Sequence, residues 1–161
     1  QPRSRGLGDV YKRQVKMPLE SCQMLAIVCS EEWGHGYGEI HKKDGEPYKT
    51  EKGAFRGHPC TVWANESHIN ARWLVTHAMA LCKEYTQRYG KVHSCENTVL
   101  EAGQLIPFTL EKPKSFAFAG PDEFKHDTSI DTFTAYKRYI SSKPWVASNY
   151  LRDPSKKPNW L

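Results

Sequence analysis

Glu20 and Gln23 stand three residues apart in a stretch whose apolar or small residues Met17, Leu19, Met24, Leu25, Ile27 and Val28 follow a helical, not an alternating, pattern. A carboxylate one helical turn from a carboxamide offers a general acid or base beside a hydrogen-bonding amide. The same pair also suits a plain solvated helix face. Farther along, Asn70, His77, Glu84 and Arg88 recur at intervals of seven, seven and four, which places them on one side of a helix. Beside them runs an apolar stripe of Trp73, Leu74, Ala78, Leu81, Cys82 and Tyr85. The polar row reads either as a solvated flank or as a groove where His, Glu and Arg converge on a ligand.

The elements that must carry these residues follow from the same pattern. A first helix is expected over 15–30, with Pro18 marking a kink or a local start. From Glu31 to Gly57 no periodicity is sustained, which predicts a long loop. Its Trp33, His35, Tyr37, His41 and Tyr48 are of the types that stack on bases and approach phosphates, or they decorate a polar surface loop. The run from Thr61 to Tyr89 contains no Gly or Pro and stops at Gly90, so a single long helix capped by Thr61 is expected. Arg88, Lys91 and His93 gather at its end, where the helix dipole alone favours cations. A shorter helix is expected from Ser94 to Gly103. Pro107, Pro113 and Pro121 then punctuate an irregular stretch with Phe108, Phe116, Phe118 and Phe124. A last helix over 129–142 has Ile130, Phe133, Tyr136 and Ile140 on its apolar side, and a basic, aromatic tail follows. The fold class expected is all-α: a single compact helical domain with one long central helix and long irregular loops.

The segment Ser4-Arg5-Gly6-Leu7-Gly8-Asp9-Val10-Tyr11-Lys12-Arg13-Gln14 resembles one reading frame of an adapter used in transposase-based DNA library preparation. Residues 1–14 are therefore expected to be adapter-derived and unstructured, and residues 15–161 to be one helical domain truncated at its start. Four of the 23 basic and one of the 18 acidic residues lie in that lead, leaving 19 against 17, a net charge of +2. Bulk charge thus gives no argument for a nucleic-acid partner; only the placement of charges can. No apolar run reaches membrane length, so no membrane association is expected. Cys22, Cys29, Cys60, Cys82 and Cys95 are odd in number and never form a CxxC pair, which points to a reducing setting rather than a disulfide framework. His58-Pro59-Cys60 and His93-Ser94-Cys95 supply metal-ligating types without the paired spacings of a zinc site, and no metal is expected.

Three stretches carry a family likeness: Val15-Lys16-Met17-Pro18-Leu19-Glu20-Ser21-Cys22-Gln23-Met24-Leu25, His58-Pro59-Cys60-Thr61-Val62-Trp63-Ala64, and Glu84-Tyr85-Thr86-Gln87-Arg88-Tyr89-Gly90-Lys91-Val92-His93. They resemble a widespread group of small phage-encoded proteins over most of residues 15–161. That group is similar to the phage-type pyrimidine dimer DNA glycosylases, small all-helical enzymes acting on ultraviolet-damaged DNA. The resemblance implies a glycosylase with abasic-site lyase activity, double-stranded DNA as partner, no cofactor, and the cytoplasm of an infected bacterial host. It puts Glu20 in the place of the family's catalytic glutamate. The amine at the family's own chain start attacks the sugar C1′ and forms a Schiff base, and the enzyme bends the duplex and expels a nucleotide. Gln23, His58, Asn70, His77, Glu84, Arg88, Lys91 and His93 are the candidate DNA- or ligand-binding residues, with Arg72, Lys137, Arg138 and Lys143 as further backbone contacts.

A reading of another class stands beside this one: a phage protein that binds a nucleotide or nucleic acid without chemistry, using the loop aromatics and the Asn70-His77-Glu84-Arg88 row as its pocket. A structural or host-interaction protein would instead show an exposed apolar patch and no pocket. Since adapter residues stand where the family carries its nucleophilic amine, borohydride trapping on abasic duplex DNA is expected to give no covalent adduct with the chain as written. A trapped complex would overturn that expectation.

Overall fold

The run from Thr61 to Tyr89 folds as two helices rather than one in a computed structural model of the chain, which describes residues 2–151 and 153–161 and their side chains from Lys16 onward. The break comes at Ser67, in extended conformation (φ −160°, ψ 159°), whose Oγ accepts the Asn70 amide at 3.2 Å. A serine in this geometry is among the strongest helix starts, so a new helix begins although no Gly or Pro marks the place. The first helix is capped by His58, whose Nδ1 accepts the Cys60 amide at 3.1 Å. Thr61, expected as the cap, is buried inside that helix.

In chain order the helices are α1 (Pro2–Cys29), α2 (Pro59–Asn65), α3 (His68–Tyr89), α4 (Glu96–Leu105) and α5 (Thr132–Ser141), with 3₁₀ turns at Asp122–Phe124, Val146–Tyr150 and Pro154–Lys156. The described residues form no strand, and the chain is all-α. Helix α1 takes in residues 2–14 as helical backbone, where the sequence reading leaves 1–14 unstructured. Once a helix is nucleated, each added residue contributes another hydrogen bond, and the lead segment contains no proline after Pro2 to stop it. Gln1 and the side chains of residues 2–15 lie outside what is described, and the adapter resemblance rests on the sequence alone.

Helix α3 is the central element: α1, α2 and α4 all pack on it. Its stripe of Ala71, Leu74, Val75, Ala78 and Cys82 meets Cys22, Leu25, Val28 and Cys29 of α1 and Val99 and Ala102 of α4 in one core. Small residues at 0% exposure, Ala71, Ala78 and Ala102, let the helices approach closely. Each fully buried Leu25, Val28, Ile40 or Ile106 contributes about 1.5–3 kcal/mol. Gly90, at φ 68°, closes α3 in the left-handed conformation that favours glycine.

The segment from Glu31 to Gly57 is irregular, as expected, and it is built into the fold. Its first amides close the end of α1: Gly34 N–H donates to Ser30 O at 3.1 Å, His35 N–H to Val28 O at 2.9 Å and Gly38 N–H to Cys29 O at 3.2 Å. These satisfy carbonyls that a helix terminus leaves without partners. A Cβ on Gly34 would sit 2.0 Å from the Val28 carbonyl oxygen, so only glycine fits there. The loop aromatics are partly built into the fold. Trp33 Nε1 donates to Thr50 O at 2.6 Å with Arg56 stacked over its ring, and Tyr37 and Tyr48 pack on the core beside buried Ile40. His35 is exposed and stacks on Tyr37 at 5.3 Å.

His41 latches this loop to α4. Its Nδ1 lies 2.6 Å from Glu101 Oε1, its amide donates to Glu101 Oε2 at 3.0 Å, and its carbonyl accepts from Thr98 Oγ1 at 2.7 Å. The hydrogen bond to Glu101, reinforced by the charges of Glu101 and Glu39, raises its pKa above the ordinary 6.5. A raised folded-state value means stabilisation fully present below pH 6.5 and lost as pH climbs through the folded value. The melting temperature of the wild-type chain should therefore fall between about pH 6 and pH 9 by an increment that Glu101→Gln removes; parallel curves for the two proteins would refute the latch.

Candidate functional site

A cavity of about 500 Å³ opens between α1 and α3, within the size range of small-ligand sites. Helix α1 supplies Met17, Glu20 and Met24, while α3 supplies Trp73, His77 and Leu81 at four-residue intervals. His58, Cys60 and Trp63 close one end. The roof comes from Phe116 and Ala117 and from Phe133, Tyr136 and Ile140, the apolar side of α5.

The aromatic wall is held in place by mutual contacts. Trp73 meets Trp63 edge-on (5.7 Å, 88°) and stacks on His77 (5.1 Å, 9°), and Phe116 stacks on Trp63 at 5.3 Å and touches Phe133 at 4.8 Å. Trp63 Nε1 donates to Ser115 O at 2.7 Å. The Tyr136 hydroxyl accepts the Ala119 amide at 2.9 Å and lies 3.9 Å from Cys60 Sγ. Burial sets the electrostatics: it lowers the pKa of His77, raises that of Cys60, and pushes the Tyr136 phenol up to about 12. At neutral pH these three are uncharged, and Glu20 is the one carboxyl group among the described lining residues.

The candidate residues from the sequence are thus partly brought together. Glu20, exposed at the open edge, shares the cavity with His58 and His77. Gln23 is exposed on α1 and does not line it. Asn70 is buried, its Nδ2 donating to Trp63 O at 2.8 Å, which staples α2 to α3. Glu84 and Arg88 pair at 2.6 Å, Arg88 also donates to Asn149 O at 3.1 Å, and Lys156 approaches Glu84 at 3.7 Å. Together these bonds tie the C-terminal tail to α3 and border a separate cavity of about 180 Å³. Lys91 is exposed beyond Gly90, and His93 is buried with Nδ1 accepting the Cys95 amide at 3.0 Å.

The polar row therefore divides among three environments. With a rise of about 1.5 Å per residue, positions 70, 77 and 84 stand about 10 Å apart along the axis, so residues on one side of α3 meet different neighbours instead of one groove. The backbone-contact candidates are similarly engaged: Arg72 donates to the carbonyls of Gly103 and Ile106, Arg138 pairs with Asp127 at 3.1 Å, and Lys137 and Lys143 stand over Trp160 and Tyr139. In both His-x-Cys pairs the histidine Nδ1 accepts the cysteine amide, as the cap of α2 at His58 and in the turn before α4 at His93. No three His, Cys, Asp or Glu side chains converge on a common point among the described residues. What the sequence reading missed is the aromatic wall. Trp73 was assignable to the core stripe and Tyr136 to an apolar helix face, but nothing local in the sequence brings residues 116–140 over Glu20.

A family model described as pyrimidine dimer DNA glycosylase matches residues 11–97, more than half of the chain, and the chain belongs to that family. The matched span contains Glu20 and the candidate residues from Gln23 to His93, while Lys137, Arg138, Lys143 and the roof of the cavity lie beyond it. No curated protein and no solved structure matches the chain. No described helix is long and apolar enough to cross a membrane.

The internal engagement of Arg88 has a measurable consequence. Arg88→Met should cost about 1 kcal/mol of stability through loss of the Glu84 and Asn149 contacts. It should leave the salt dependence of DNA binding unchanged, whereas loss of a phosphate contact would lower the slope of log K against log salt by about one.

Proposed function

We propose that the chain acts on pyrimidine-dimer-containing duplex DNA as a glycosylase with abasic-site lyase activity, with Glu20 as its catalytic carboxylate. The observation that carries this is the position of Glu20: within the family match, on the first helix, and the one acid on an aromatic cavity. Such a wall suits a planar base and offers nothing to a phosphate, whose burial among apolar groups would be costly. An extruded nucleotide entering the cavity would bring its sugar to the open edge, beside Glu20.

There a carboxylate has two uses. It stabilises the oxocarbenium charge that builds at C1′ as the glycosidic bond breaks, and it handles protons during the later β-elimination. The amine that forms the Schiff base in the family belongs to the chain start, where the adapter-like residues stand. Neutral His77, stacked on Trp73, extends the surface against which a base can lie.

The test uses a chain in which residues 1–14 are exchanged for the start of a full-length relative. Irradiated duplex should be cleaved, and Glu20→Gln should reduce the rate by at least about a hundredfold while binding persists. Undiminished cleavage in the variant would remove Glu20 from the chemistry. Binding with no cleavage in either protein would favour a non-catalytic nucleic-acid-binding protein.

A further inference from the structure

Three buried thiols and a phenol meet where α1, α3 and α4 join. Cys22, Cys82 and Cys95 are 0%, 0% and 3% exposed and belong to one core cluster, with Tyr48 of the loop packed against it. Cys22 Sγ lies 3.9 Å from the Cys95 carbonyl oxygen, and the two thiols hydrogen-bond each other although 73 residues separate them in the chain. The Tyr48 hydroxyl hydrogen-bonds both sulfurs. A core thiol acting only as a small apolar group needs none of these partners.

The pair is polarised in one direction. The hydrogen bond from Cys22 foremost, with those from Ser94 and Tyr48, holds the Cys95 thiol below its ordinary value against the opposing effect of burial. The same bond, together with burial, pushes the Cys22 thiol up. Cys95 is also the N-cap of α4, where the helix dipole favours a thiolate. One sulfur is thus the nucleophile while its neighbour keeps its proton, which is how roles divide between an attacking and a resolving cysteine. Tyr48 also lines a cavity of about 250 Å³ beside Ile40 and Thr50, so the sulfurs lie one side chain away from it. Such a route suits a small uncharged oxidant and excludes a bulky disulfide.

We propose that Cys22 and Cys95 form a hydroperoxide-reactive dithiol, in which Cys95 is oxidised first and Cys22 resolves it to a disulfide joining α1 to the start of α4. The Cys95 sulfur attacks one peroxide oxygen, the O–O bond breaks, and the leaving oxygen is protonated, which leaves a sulfenic acid on Cys95. The Cys22 sulfur then attacks the Cys95 sulfur, the S–O bond breaks, and hydroxide departs as water with the Cys22 proton. The two sulfurs lose two electrons, and hydrogen peroxide takes them up as it is reduced to two waters. A disulfide of this kind in a chain of otherwise free thiols is a transient, redox-sensing one.

The full chain as it stands is reduced with dithiothreitol, freed of it and exposed to hydrogen peroxide under native conditions. Remaining thiols are then blocked and the digest is mapped by mass spectrometry. Cys60, more exposed and hydrogen-bonded to Tyr136, is the internal comparison. The linked Cys22–Cys95 peptide should appear at least about tenfold faster than the Cys60 thiol is lost, and dithiothreitol should reverse it. Cys22→Ala should leave a sulfenic acid on Cys95 that dimedone captures, whereas Cys95→Ala should leave Cys22 reduced. The wild-type map decides the matter alone where either variant fails to fold. Oxidation of Cys60 with Cys22 and Cys95 recovered as thiols would overturn the proposal, as would a linkage through Cys82 or one that forms only in denaturant.

Discussion

The cavity depends on the turn between α2 and α3. Ser67 starts α3 in the middle of a run with no helix breaker, and Asn70 reaches back to hold the Trp63 carbonyl at 2.8 Å. If the run stayed one straight helix, residues 58 and 63 would lie along the axis of α3, two or more turns from Trp73. Folded back, α2 sets Trp63 edge-on to Trp73 and brings His58 to the same cavity as Glu20. A buried carboxamide that satisfies a buried carbonyl is rigid because either group left unpaired would cost about 1–3 kcal/mol. Asn70, a candidate ligand-binding residue by its spacing, acts on the site from behind it.

The cavity joins two parts of the chain with different constraints. Its floor, from α1 and α3, is continuous with the core, so Glu20 is placed by the burial of Cys22, Met24 and Leu25 within five residues of it. Its roof, from residues 116–140, lies outside the family match and is joined to the floor mainly through aromatic contacts, Phe116 on Trp63 and Trp73 above all. Offset and edge-on aromatic pairs contribute about 0.5–1.5 kcal/mol each beyond area burial. The position of the acid and the shape of the space above it can therefore vary separately.

The all-α class, the central helix with its apolar stripe, the stop at Gly90 and the irregular course of residues 31–57 were legible because each depends on local periodicity or on a single breaker. The split at Ser67 was not, since a serine cap competes with helix continuation only when tertiary contacts favour the turn. At the site, Glu20 was named from the family resemblance and His58 and His77 from motif, residue type and spacing, and the three share a cavity. Glu84, Arg88 and His93 were named on the same grounds and are held by internal partners. Side-chain type is written in the sequence, but whether a charge meets solvent or a carbonyl of the tail at Asn149 is a long-range matter. The roof was invisible for the same reason, being assembled from segments more than ninety residues from Glu20 in the chain.

The two His-x-Cys pairs isolate the role of surroundings. In both, the imidazole Nδ1 accepts the amide of the cysteine two residues on, at 3.1 and 3.0 Å, and so both rings have the same preferred tautomer. His93 is 4% exposed, with its ring edge-on to Tyr85. His58 is half-buried at the edge of a cavity with an acid on its rim. Identical local chemistry thus yields a core residue in one place and a cavity-lining residue in the other. What separates them is where each turn lies: His58 opens α2 at the cavity, and His93 precedes α4 in the interior.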